Sequence, residues 1–142
     1  MKGLTIMLPS FLAALYHESG RPSVAAGSTL AHSLGQGRPF VEFGALRAEA
    51  RMGRELTAEK LLQRFGFYSL ANRGDAVEVD EESLARAIHE CERDAIDRGW
   101  VAVVLDPPRP WIEFDALPEQ AQTGRRNQAR FLIERFVVVA AN

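Results

Sequence analysis

Trp100-Val101-Ala102-Val103-Val104-Leu105-Asp106-Pro107-Pro108-Arg109-Pro110-Trp111-Ile112-Glu113-Phe114 is the stretch on which the fold class turns. The run 100–105 is short, apolar and valine-rich, which reads as a buried strand. Asp106 and three prolines stop it and stiffen a turn. Residues 111–114 read as a second strand, so the pair predicts a hairpin. A hairpin beside helix-separated strands makes the sheet mixed.

The segment before the hairpin is the clearest helix. Asp80 suits an N-cap, and Glu81 and Glu82 follow in the first turn, where the helix dipole favours carboxylates. Leu84, Ile88, Cys91 and Ala95 share one helical face, and Arg98-Gly99 closes it. Further strands are expected at 4–8, 40–43, 76–79 and 136–140, and 66–70 reads as a strand or a buried turn. Asn72-Arg73-Gly74-Asp75 reads as a turn. Helices are expected over 10–16 with Ser10 as cap, over 45–65 with a break at Gly53 and a second cap at Thr57, and over 123–135. A short helix fits within 23–34. No internal repeat, linker or low-complexity tail is read. Strands interleaved with helices give an α+β class: one domain over 1–142, a mixed sheet, and helices packed mainly on one face. Residues 19–39, rich in Gly, Ser and Pro, form an irregular loop of a length that usually carries function or moves.

The 142 residues suffice for one self-supporting core. Their 46% hydrophobic and 25% charged content is ordinary for a globular chain. The single cysteine, Cys91, excludes an internal disulfide and a Cys-rich zinc site, and on an apolar helix face it reads as an inert buried thiol. The apolar opening is too short to span a bilayer and a poor signal peptide. A cytoplasmic setting without membrane attachment is therefore expected. Arginine almost replaces lysine, which in an alanine-rich chain reads as a GC-rich, bacterial-like composition.

Charge is segregated along the chain. Residues 1–74 carry +4, residues 75–119 carry −9, and residues 120–142 carry +3. Such blocks either pair within the fold or face partners. Arg125, Arg126, Arg130 and Arg135 give the last helix a basic side, which suits phosphates or the acidic helix 80–97. A pI of about 5.9 is low for a dedicated nucleic-acid binder.

No histidine stands in a metal-binding spacing, so no metal and no cofactor are expected. Two places could bind an anion. In the 19–39 loop, Arg21 and Arg38 flank glycines, hydroxyls and His32, a candidate proton shuttle. At the 106–109 turn, Asp106 and Arg109 sit at the end of the strongest strand. Three functional readings follow. The leading one is a non-enzymatic adaptor or regulatory protein that recognises a protein partner, or its own copy as a homodimer, through segregated charge. The alternative is a small enzyme on an anionic substrate, with His32 and Asp106 catalytic and Arg21, Arg38 and Arg109 binding. The third is nucleic-acid binding through Arg125, Arg126 and Arg130.

Overall fold

The segments around Tyr16 and Ile88, and those around Ala58 and Ala129, fold into matching helix pairs. The computed structural model of the protein describes residues 7–26, 39–102 and 110–141. Its elements are helices α1 (Pro9–Ser19), α2 (Arg21–Ala25) and α3 (Ala48–Arg64), strand β1 (Phe65–Tyr68), helices α4 (Glu81–Cys91), α5 (Arg93–Asp97) and α6 (Glu119–Arg135), and strand β2 (Val137–Ala140). The described chain is mostly helical with a small antiparallel sheet, which is the α+β character at its coarsest.

The wider mixed sheet does not form among the described residues: β1 and β2 pair only with each other. Residues 39–42 and 110–113 pair with no strand, and each segment runs into a single tight turn, Phe43–Ala45 and Phe114–Ala116. Their carbonyls are taken by histidine side chains instead of a neighbouring strand. Trp100 caps α5, donating its N–H to Ala95 O, and its neighbours Gly99 and Val101 give their carbonyls to Arg47. The 100–114 hairpin thus has no strand at either described end, and residues 103–109 lie outside the described residues. Of the strand expected at 4–8, residues 4–6 lie outside them as well. Segment 76–79 is irregular, tied to β2 by one bond from Val79 N–H to Val138 O.

Most helix boundaries follow local chemistry. Asp80 caps α4 by accepting from Ser83 N–H at 2.7 Å. Gly74 (φ 92°) and Gly99 (φ 72°) make the left-handed turns their neighbours require. The expected helix 80–97 is two, α4 and α5. Ser10 lies inside α1, because Pro9 opens that helix at its first turn and Leu8 stands at the cap. Gly53 does not break α3. A Cβ there would stand 2.0 Å from Trp100 O, so glycine lets the 99–101 segment cross the helix. Thr57 caps nothing; its Oγ donates to Gly53 O.

The structure overturns the absence of an internal repeat. PFVEFGALRAEARMGRELTAEKLLQRF (39–65) and PWIEFDALPEQAQTGRRNQARFLIERF (110–136) agree at 12 of 27 positions with a shift of 71. A shift of 72 sets Leu12, Ala13, His17, Glu18 and Arg21 on Leu84, Ala85, His89, Glu90 and Arg93. The register of the sheet carries the same relation. Phe67 pairs with Val138, its own counterpart (67 + 71), and Gly66 and Tyr68 pair with each other's counterparts. A pseudo-two-fold axis therefore passes between Phe67 and Val138. Matching pairs fill the core: Leu12 with Leu84, Ala58 with Ala129, Leu61 with Leu132.

Candidate functional site

The two histidines of the repeat occupy equivalent, fully determined positions. His17, on α1, faces Arg54 of α3; His89, on α4, faces Arg125 of α6. Arg54 Nε–H donates to His17 Nδ1 at 3.1 Å, and Arg125 Nε–H donates to His89 Nδ1 at 3.2 Å. Each Nε2 then donates to a carbonyl, Val41 O and Ile112 O, at 2.6 Å. An arginine can only donate and a carbonyl can only accept, so both rings are neutral with the proton on Nε2. Burial lowers the pKa of both histidines, and the adjacent guanidinium lowers it further. Each ring also packs on an aromatic: His17 on Phe40 at 4.8 Å and His89 on Trp111 at 4.9 Å. These are positioning histidines for the two arginines.

The arginines converge on one carboxylate near the pseudo-two-fold axis. Glu92 Oε2 accepts from Arg125 Nη2 and, at 2.7 Å, from the Tyr16 hydroxyl; Glu92 Oε1 accepts from Arg54 Nη1 at 3.4 Å. Arg125 Nη1 adds bonds to the Tyr16 oxygen and to Gln128 Oε1. Burial alone would raise the pKa of Glu92, but Arg125 and then Arg54 outweigh it and hold the carboxyl at about 2. Burial and the Glu92 carboxylate push the Tyr16 hydroxyl well above its usual range. Burial opposes the charge of Arg125, and Glu92 and Tyr16 overcome it, so the guanidinium stays charged. The centre holds two cations and one anion, an excess of one positive charge.

Around this centre lie two equivalent surface clusters. Arg21 lies 4.2 Å above the Phe40 ring, and Arg93 lies 4.7 Å above the Trp111 ring. Arg64, Glu90, Arg93, Trp111 and Glu113 line a cleft of about 310 Å³. The same shift assigns Arg135, Glu18, Arg21, Phe40 and Glu42 to the matching place on the other half.

The residues expected from sequence to share a site are only partly described. His32, Arg38, Asp106 and Arg109 lie outside the described residues. Arg21 is bound to Glu18 and Glu42, both at 2.6 Å. Arg125 is interior. Arg126 pairs with Glu82 at 2.7 Å and Arg130 with Glu81 at 2.8 Å. The basic side of α6 thus lies on the acidic side of α4, within the fold. Burial raises the Cys91 thiol pKa, as suits an inert group. Among the described residues no three His, Cys, Asp or Glu side chains gather as metal ligands, and no helix is long and apolar enough to cross a membrane. Sequence reasoning missed His17, Arg54, Glu92 and Tyr16. Their signal is the spacing: two Gly-Arg pairs, 53–54 and 124–125, stand 71 apart, and two histidines stand 72 apart. No protein-family model, curated protein or solved structure matches the chain.

Proposed function

We propose that the protein is a non-enzymatic adaptor or regulatory module that recognises a protein partner, or a second copy of itself, with its two equivalent arginine–aromatic clusters. The observation that supports this is the duplication of Arg21 over Phe40 by Arg93 over Trp111, Arg21 paired with Glu18 and Glu42 and Arg93 sharing a cleft with Glu90 and Glu113. Arginine and large aromatics dominate the energetics of protein interfaces because they bury much area at low entropic cost. Two such clusters in one chain suit bivalent recognition, where the second contact forms at high effective concentration. The interior histidines favour binding over catalysis: both ring nitrogens of each are committed to fixed partners. The reading keeps the cytoplasmic setting, in which a single buried thiol needs no partner. Segregated charge acts mainly inside the fold, so the recognition surface moves from the acidic helix to the clusters.

The test places a photo-crosslinking residue at Glu42, at Glu113 or, as a control, at Asp75. A discrete adduct at 42 and 113, absent at 75 and lost on Arg21→Ala with Arg93→Ala, is expected. Equal labelling at all three positions would remove the reading.

A further inference from the structure

The two halves of the central ion cluster are built alike but filled differently. On one side, every nitrogen of the Arg125 guanidinium has a partner: His89 takes Nε–H, Tyr16 and Gln128 take Nη1, and Glu92 takes Nη2. The residues that would do the same for Arg54 are the counterparts of Tyr16, Gln128 and Glu92. These are Ile88 (16 + 72), Thr57 (128 − 71) and Gly20 (92 − 72). Ile88 is apolar, Gly20 has no side chain, and the Thr57 hydroxyl, which donates to Gly53 O, takes no bond from Arg54. Arg54 is left with His17 on Nε and the long 3.4 Å contact to Glu92 on Nη1. Its Nη2 has no hydrogen-bond partner among the described residues. The Arg54 side chain nevertheless stays 17% exposed, so water and small solutes reach it.

Gly20 is not there for its backbone. Its φ of −83° and ψ of −9° are helical, open to any residue. A Cβ at this position would meet Gln128 Nε2 and His17 O at 3.4 Å each, ordinary contact. The position that carries a carboxylate in one half thus carries no side chain in the other, and the pseudo-two-fold relation sets it against Arg54 as Glu92 is set against Arg125. We infer that Arg54, together with the Gln128 Nε2 that lies beside Gly20, forms an anion-binding site at Gly20 for a carboxylate or phosphate group, across the pseudo-two-fold axis from the Glu92 carboxylate. A planar fork presenting parallel N–H donors matches both groups. The excess positive charge of the cluster favours either one, and a bound monoanion brings the centre to neutrality. The site is separate from the surface clusters and stands whether or not those bind a partner.

The experiment follows arginine Nε–H resonances by NMR in the full chain. The probes are inorganic phosphate and acetate, against chloride at matched ionic strength. The Arg54 resonance is expected to move saturably with at least one probe while those of Arg51 and Arg98 do not follow. Response to acetate alone identifies a carboxylate ligand, and response to phosphate identifies a phosphorylated one. Gly20→Glu, which installs the missing carboxylate in the chain, should weaken binding at least tenfold. Three results overturn the inference: no movement at Arg54, movement shared equally by the exposed arginines (an adventitious ion only), or unchanged affinity in Gly20→Glu. If circular dichroism shows that Gly20→Glu does not fold, Arg54→Lys replaces it, with binding read from the anion-dependent rise in melting temperature. A loss of at least tenfold supports the site, since lysine keeps the charge and removes the fork. Unchanged affinity overturns it.

Discussion

Glu92 is the residue on which the interior depends most. Two arginines and a tyrosine hydroxyl point at its carboxylate. Removing its charge leaves both guanidiniums without a counterion in a poorly hydrated place. Breaking a buried pair in this way costs about 3–5 kcal/mol, so Glu92→Gln should lower unfolding stability by roughly that amount in urea titrations. Glu92→Gln with Arg54→Met should recover part of the loss, because it removes an orphaned charge as well. The histidines give a different signature. Their folded pKa values lie below the ordinary 6.5, so at low pH the unfolded chain binds the protons that the native one refuses. The histidine contribution is complete above pH 6.5 and is lost as pH falls below it. The Glu92 contribution follows at lower pH, fading between 4.5 and about 2. The urea midpoint should therefore decline between pH 7 and 5 in the native protein and stay flat there in His17→Gln with His89→Gln.

At the scale of elements, two glycine or cap positions separate what is legible locally from what is not. Asp80 and the first turn after it are a local signal, and the cap forms as the sequence implies. Asp80→Ala should cost about 1 kcal/mol. Gly53 misleads for a physical reason. Helix propensity treats a mid-helix glycine as a weak point, so Gly→Ala should gain about 1 kcal/mol. The structure reverses the sign: the added methyl meets the backbone oxygen of Trp100, 47 positions along. Gly53→Ala should destabilise by about 1–3 kcal/mol, the usual range for overpacking, measurable as a lower thermal midpoint. The strands at 40–43 and 111–114 fail in the same manner. Their residues are β-prone, but the carbonyl partner is a histidine on a distant helix. Periodicity reports the conformation of such a segment and is silent about what it pairs with.

For the whole molecule, the halves are interlocked. Helix α3 of the first half packs on α4 and α5 of the second, and α1 packs on α6. Unfolding should be a single transition, with tryptophan fluorescence, which reports the second half through Trp100 and Trp111, superimposing on far-ultraviolet circular dichroism. Leu12→Ala and Leu84→Ala, at matched core positions with no exposure, should each cost about 2–5 kcal/mol and shift both probes together. Separate shifts would mean independent halves. The duplication was hidden in the sequence because its identities are spaced for helix packing. Leu61 and Leu132, Ala58 and Ala129 match at buried positions, while the exposed residues between them, such as Glu59 and Arg130, have diverged even in charge. The first half of the repeat is fainter still: Tyr16 corresponds to Ile88, and Gly20 to Glu92. The candidate centre was illegible for the same reason, since each of its members looks ordinary until its twin is found.

The pairing of Phe67 with its own counterpart Val138 has a geometric consequence. A residue on a dyad is the one place where an inherited change in both halves would collide with itself. Phenylalanine opposite phenylalanine there would crowd the axis, and valine opposite valine would leave it hollow. One large and one small side chain fill it, so the chain gains by being unlike itself at its centre. A covalently joined pair can accept such unequal solutions where two identical subunits cannot. The molecule thereby acquires a direction, with distinguishable ends.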